Sequence, residues 1–205
     1  MLVGNDVVDL FDAETDLDAL HQRFAERVFA GDERRTILSS ADPRLALWTY
    51  WAAKESAYKV VRKIDRDAIF APSAFAVEIE GRDGARRLRG SVRYGRRRIG
   101  LKVQQSGAWI HALATLGSPG SHADFVLSAV TRRPPRRDPS AAARAGAVRA
   151  LSRELGLPLE GLRIARTRPP AVLLRGRDIG LDLSLSHHGR WTAYAAALPP
   201  AGMPG

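Results

Sequence analysis

Three polar clusters interrupt an otherwise apolar chain, and their side chains are of the kinds that hold a divalent cation and a pyrophosphate. Near the start, Asp6 ends a short apolar run after Gly4 (Leu2-Val3-Gly4-Asn5-Asp6), a glycine that permits close backbone approach. Later, Glu55 and Lys59 stand four apart in Trp51-Ala52-Ala53-Lys54-Glu55-Ser56-Ala57-Tyr58-Lys59, so on a helix they share a face, with Lys54 about a quarter-turn away. Near the end, Ser184-Leu185-Ser186-His187-His188-Gly189-Arg190-Trp191 reads as a strand whose two serines point the same way and which turns at Gly189. A hydroxyl, an imidazole and backbone amides at such a turn can bind a phosphate. Magnesium takes only one or two carboxylates and completes its octahedron with water and phosphate oxygens, so Asp6 with Glu55 suits it. Asp9 is a second carboxylate, but three residues along a strand it falls on the face opposite Asp6.

Each cluster also has a plainer reading. Asp6 can be a turn or cap aspartate, and Glu55 with Lys59 a surface pair worth about 0.3 kcal/mol. The Ser-His segment can be an ordinary hairpin turn. The setting of the helix argues against the plain reading there. Trp48, Tyr50, Trp51, Ala52, Ala53, Ala57, Tyr58, Val60 and Val61 surround its charges, and ionised groups on so apolar a helix require partners or a metal. A serine hydrolase is disfavoured, because no Gly-x-Ser-x-Gly elbow is present and Ser186 beside His187 does not make a dyad. Adjacent histidines diverge on a strand and have no third ligand nearby, which also disfavours a histidine metal site.

The elements that must position these groups follow from periodicity. Leu2 to Leu10 predicts a strand, and apolar spacing over Asp16–Phe29 predicts a helix capped by Asp12 or, better placed, Thr15. A second helical start follows Gly31. A long helix is expected from Asp42-Pro43 to about Lys63, then strands at 75–79, 88–94, 99–105 and 109–116. A shortened version of this order follows: a strand at 125–130, a basic Pro-rich loop at 131–139, a helix from Ser140 to Leu155 stopped by Gly156, and strands at 162–165, 171–174, 181–185 and 191–197. Pro199 to Gly205 reads as a loose tail. The expected fold class is α+β, a pseudo-dimer of two strand–helix–multistrand halves at 1–117 and 118–205.

Composition narrows the setting. The 205 residues can bury a real core, and with no cysteine there is neither a disulfide framework nor a thiolate zinc site. No run approaches a membrane span and no secretory signal opens the chain, so a cytoplasmic protein without a membrane partner is expected. Net charge is +10, from 32 Lys and Arg against 22 Asp and Glu, with arginine runs at 86–87, 96–98, 132–133 and 136–137. Such a surface favours anionic partners: phosphorylated cofactors, acidic proteins or nucleic acid.

The three clusters resemble the 4′-phosphopantetheinyl transferase superfamily. Gly4-Asn5-Asp6-Val7-Val8-Asp9 is similar to its Gly-x-Asp motif, and Trp51 to Lys59 to its aromatic-x-x-Lys-Glu-(Ser/Ala)-x-x-Lys motif. Ser184 to Trp191 resembles its Ser-x-Ser-His-x-Gly-x-Trp segment, and Arg23-Phe24 with Arg27-Val28-Phe29 leading to Glu33 resembles the helix after the first motif. The resemblance implies transfer of phosphopantetheine from coenzyme A to a serine of an acidic apo carrier protein (acyl, peptidyl or polyketide), releasing adenosine 3′,5′-bisphosphate. It implies that Asp6 and Glu55 bind Mg2+, that Lys59 neutralises the phosphates and assists the leaving group, and that Lys54 helps with pyrophosphate or orients the helix. His187 with Ser186 would hold the 3′-phosphate of coenzyme A, with Arg190 beside them. Val8 departs from the larger surfactin-type members, which carry a second acidic residue there, so Glu55 or a metal-bound water is left as the base. The Ser-His segment comes last, as in the short holo-acyl-carrier-protein synthases that trimerise. One chain would therefore hold one composite site, and a monomer is expected. A nucleic-acid-binding module and a non-catalytic relative that binds carrier protein or coenzyme A are the alternatives.

Overall fold

The computed structural model describes residues 1–20, 23–117 and 126–198. The fold is α+β. β1 (Leu2–Asp9) is followed by two 3-10 turns and the helices α1 (Phe24–Val28), α2 (Gly31–Leu38) and α3 (Pro43–Ile64). β2 (Phe75–Arg82), β3 (Arg87–Tyr94), β4 (Arg97–Gln105) and β5 (Trp109–Leu116) complete a five-stranded antiparallel sheet in the order β1-β5-β4-β3-β2. β6 (Val126–Arg132) and α4 (Pro139–Leu155) come next, then β7 (Leu162–Ile164), β8 (Val172–Leu174), β9 (Arg177–Asp178), β10 (Leu183–His188) and β11 (Trp191–Ala197). The last two join β6 in a three-stranded sheet ordered β10-β11-β6, and β7-β8-β9 form a small third sheet. Among the described residues, no helix is long and apolar enough to cross a membrane.

Two long helices form where expected because their starts are capped. The Asp42 side chain accepts the Leu45 N–H at 2.9 Å, that of Asp138 accepts the Ala141 N–H at 2.7 Å, and each is followed by proline. Gly156 stops α4 in the left-handed region. Buried Leu47, Trp48, Ala52, Ala53, Ala57, Val60 and Val61 lay α3 on one face of the large sheet. Burial along the strands reports what covers them. β4 alternates between buried and exposed because its second face is open, whereas β1 is buried at six of its eight residues. α3 lies on one side of β1 and β10 with β11 on the other, so the alternation disappears.

The helix expected over Asp16–Phe29 is replaced by 3-10 turns at Ala13–Thr15 and Leu17–Ala19 and by the short α1, with residues 21 and 22 outside the described residues. Asp12 and Asp16 cause this: their carboxylates accept the Glu14 and Asp18 N–H groups and close tight turns that compete with a continuous helix. Thr15 does not cap; its hydroxyl donates to the carbonyls of Asp9 and Asp12. β9 was not expected, because two residues leave no periodic trace. The expected strand start at Phe125 and the tail from Pro199 lie outside the described residues, and the boundary expected after 117 adjoins another such stretch, 118–125.

The two larger sheets meet at a seam built from side chains. Among the described residues, the outer edge of β1 is not paired to a strand. Instead the Val3 N–H donates to Asp182 Oδ2 (2.6 Å), the Asn5 N–H to Ser184 Oγ (2.9 Å) and the Asp9 N–H to His188 Nδ1 (2.9 Å). Residues two or four apart on β10 and its approach thus satisfy β1 donors that would otherwise be buried unpaired. Val3, Leu113 and Ala195 pack at this seam, and the rings of Trp109 and Trp191 meet edge-on at 6.2 Å.

Candidate active site at the seam

Gly4 sets the depth of the site. A Cβ there would lie 2.1 Å from the Ser56 carbonyl oxygen, so only glycine lets α3 press this closely on β1. The approach brings Lys59 over the strand: its Nζ donates to Asp6 Oδ1 and to the Asn5 carbonyl, each at 2.9 Å. Glu55 lies one turn earlier on the same face. Burial pushes its carboxyl up to about 7; the Asp6 charge adds to this and the Lys59 charge opposes it. Among the described residues the Glu55 carboxyl makes no hydrogen bond. Two carboxyls in mutual repulsion, one of them without a partner, fit a divalent cation.

Beside them lies a cavity of about 530 Å³ between the end of α3, the first turns of α4 and β10. Asp6, Ser184, Ser186 and His187 line it, as do Lys59, Arg62, Lys63, Arg66, Arg144 and Arg168. Asp6 is the sole carboxylate among those lining residues. Lys63 is spoken for by Asp182 (2.7 Å) and the carbonyls of Val3 and Leu183, and the Arg62 guanidinium by the Tyr58 hydroxyl and the Ala68 carbonyl. Arg66, Arg144 and Arg168 have no carboxylate partner among the described residues. Burial and the Lys59 charge hold His187 below the usual imidazole value, with Arg133 adding and Asp138 and Asp6 opposing. The cavity lining is therefore electropositive, which favours an anionic ligand.

The seven residues singled out in the sequence separate into two groups. Asp6, Lys59, Ser186 and His187 line one cavity, and Glu55 lies within electrostatic reach of Asp6 and Lys59. Lys54 is elsewhere: of the two roles expected for it, pyrophosphate contact is corrected and orienting the helix agrees with its contacts. Its side chain is fully buried; Nζ lies 2.9 and 2.8 Å from the two Glu33 oxygens and also donates to the carbonyls of Pro72 (3.1 Å) and Phe75. Glu33 also accepts the N–H groups of Ala30 and Val77, both at 2.8 Å, so the pair ties α2, α3 and β2 together. The quarter-turn between Lys54 and Glu55 places them on different sides of α3, and only one side faces the seam.

Arg190 is likewise corrected: it does not line the cavity. Its Nε and Nη2 donate to the two oxygens of Asp9 at 2.8 and 2.7 Å, and its guanidinium lies over the Phe11 ring. Asp9 is 1% exposed. Burial pushes its carboxyl up, but hydrogen bonds from the Arg190 side chain, the Arg190 N–H and the Phe11 N–H outweigh this and hold it at about 2. Asp12, Glu14 and His188 bring ligand atoms within 4.8 Å of one another; Glu14 is exposed, His188 Nε2 lies 3.5 Å from Glu14 Oε2, and His188 Nδ1 accepts the Asp9 N–H. The roles of Asn5, Glu33, Asp182 and the cavity arginines had no local signal in the sequence, because their partners are distant along the chain.

No curated protein matches the chain. Among solved structures it resembles the crystal structure of Thermotoga maritima holo-[acyl-carrier-protein] synthase (AcpS), at 16% identity over 65% of this chain and 77% of that one, with a TM-score of 0.38. The family described as 4′-phosphopantetheinyl transferase superfamily matches residues 2–113, more than half of the 205. The chain belongs to the 4′-phosphopantetheinyl transferase superfamily.

Proposed function

We propose that the protein transfers 4′-phosphopantetheine from coenzyme A to a serine of an acidic apo carrier protein, releasing adenosine 3′,5′-bisphosphate. The observation that carries this reading is the meeting of Asp6, Lys59 and Glu55 with a cation-lined cavity. Asp6 and Glu55 would hold Mg2+, which when bound supplies charge stabilisation to the pyrophosphate. Lys59 offers its ammonium to the leaving phosphate, oriented by the Asn5 carbonyl and Asp6. Ser186 and His187 hold the 3′-phosphate from β10. Arg66, Arg144 and Arg168 add unpaired charge around the nucleotide. The serine hydroxyl oxygen attacks the pantetheine-side phosphorus in line as the bond to the leaving phosphate breaks, and its proton passes to the Glu55 carboxylate. A net charge of +10 favours encounter with an acidic partner.

The reading includes one composite site per chain, in a monomer. Leu183–Leu198 lines up without a gap on Leu101–Leu116, pairing Gly189 with Gly107 and Trp191 with Trp109. The hairpin registers agree as well: Leu183 faces Ala196 as Leu101 faces Ala114. On this alignment Asp6 opposite Ala112 corresponds to Ala129 opposite Tyr194, and Ser186 corresponds to Gln104. These correspondences support a pseudo-dimer in which a second site would have neither the carboxylate nor the serine.

The test is intact-mass analysis of several apo carrier proteins after incubation with the protein, coenzyme A and magnesium. The reading expects a gain of one phosphopantetheine that chelator abolishes. No gain on acyl, peptidyl or polyketide carriers, with the protein folded and coenzyme A present, would overturn it.

A further inference from the structure

We infer that Asn5, which lies between the two halves of the site, is a positioning residue that sets Ser186, and through it the phosphate-binding end of β10, against the Asp6–Lys59 end. This inference rests on the reading of the cavity as a coenzyme A site. Asn5 is fully buried, and it is engaged from four directions. Its N–H donates to Ser184 Oγ at 2.9 Å and its carbonyl accepts Lys59 Nζ at 2.9 Å. Its side-chain Nδ2 donates to Ser186 Oγ at 3.0 Å and lies 3.3 Å from Nε2 of His111.

Burial, with the Lys59 charge adding, holds His111 down to about 4, so its ring is neutral, and in the tautomer with the proton on Nδ1 its Nε2 accepts from the amide. Both Nδ2 hydrogens then have acceptors, one on β5 and one on β10. The side-chain Oδ1 is left buried with no partner among the described residues. Leaving a buried carbonyl oxygen unsatisfied costs stability; leucine would avoid that but would strip Ser186 Oγ and His111 Nε2 of their amide partner. What the amide supplies and leucine cannot is a donor to Ser186, whose neighbour His187 lines the cavity. The lysine contact uses the main chain and survives substitution, so the side chain acts on the Ser186 end alone.

The experiment is calorimetric titration of coenzyme A, together with kcat and KM in carrier-protein transfer, for wild type, Asn5→Leu, Ser186→Ala and the double variant. Asn5→Ala replaces Asn5→Leu if the latter does not fold. One hydrogen bond to the site corresponds to about a tenfold change in affinity. The inference expects each single variant to weaken coenzyme A binding about tenfold, kcat of the Asn5 variant to stay within about threefold, and the double variant to be no weaker than the singles. In NMR, the His111 ring should carry its proton on Nδ1 in the wild type. Unchanged affinity in the Asn5 variant, multiplicative effects in the double variant, or a fall in kcat alone would overturn the inference. Absence of coenzyme A binding by the wild type would instead remove the functional reading, and the role of Asn5 with it.

Discussion

Arg190 and Asp9 stand 181 positions apart in the chain and form a two-point ion pair, 2.7 and 2.8 Å long, on which the end of β1 is fastened to the turn between β10 and β11. Gly189 makes this possible, since it takes a positive φ of 49° and a Cβ there would lie 2.6 Å from Asp9 Oδ2. The pair fixes the strand that carries Asp6 against the strand that carries Ser186.

Removing the arginine should therefore be costly. Arg190→Ala leaves a buried carboxylate with only backbone donors, and a lower midpoint in chemical denaturation is expected. Because the Asp9 carboxyl is held near 2, its contribution is fully present above about pH 4 and is lost as pH falls through 2. Asp9→Asn should flatten that acid limb of the stability curve.

Lys54 and Glu33 make a separable prediction. Lys54→Ala should destabilise the fold by roughly 3–5 kcal/mol, as expected for breaking a buried pair by losing one partner. At low temperature, where the variant is still folded, its KM for coenzyme A should match wild type, since the side chain faces α2 and β2 and not the cavity. A selective rise in KM would return Lys54 to the site.

Glu55 gives a pH signature of opposite sign. Its carboxyl is raised from an ordinary 4.5 to about 7, so the folded chain binds the proton more tightly than the unfolded chain. Without divalent cations, stability should fall as pH rises from about 4.5 to 7, by about 3 kcal/mol at most, and then level off. Glu55→Gln should abolish that slope in thermal denaturation and also abolish phosphopantetheine transfer. Apparent magnesium affinity should climb with pH through about 7, because the ligand must shed its proton.

Gly4→Ala tests the helix approach. The added methyl meets the Ser56 carbonyl, which is backbone and cannot swing aside, so α3 must lift from β1. A loss of about 2–3 kcal/mol is expected, with transfer falling at least tenfold because Lys59 moves off Asp6. Retained activity with full stability would show that the two elements tolerate a wider gap.

Much of this molecule was legible in the chain itself. Local chemistry decides α3 and α4, since an aspartate cap, a following proline and 3.6-residue apolar spacing all act within a few residues. Alternation in β4 follows from side-chain period, whereas the near-continuous burial of β1 comes from packing on both its faces; the three motifs marked Asp6, Lys59, Ser186 and His187, which the fold brings to one cavity. The region before α1 misled because the caps of Asp12 and Asp16 close short turns, a competition that apolar spacing does not record. Lys54, read as a pyrophosphate ligand, and Arg190 misled for a deeper reason. Both are cations beside site residues in sequence, but neighbouring side chains on a helix or at a turn point different ways. Which of them meets the cavity depends on where Glu33 and Asp9 are brought from, 21 and 181 residues away. Charge is written into the sequence residue by residue. Its partner is chosen by tertiary packing, because a buried ion must be compensated by whatever the fold places beside it.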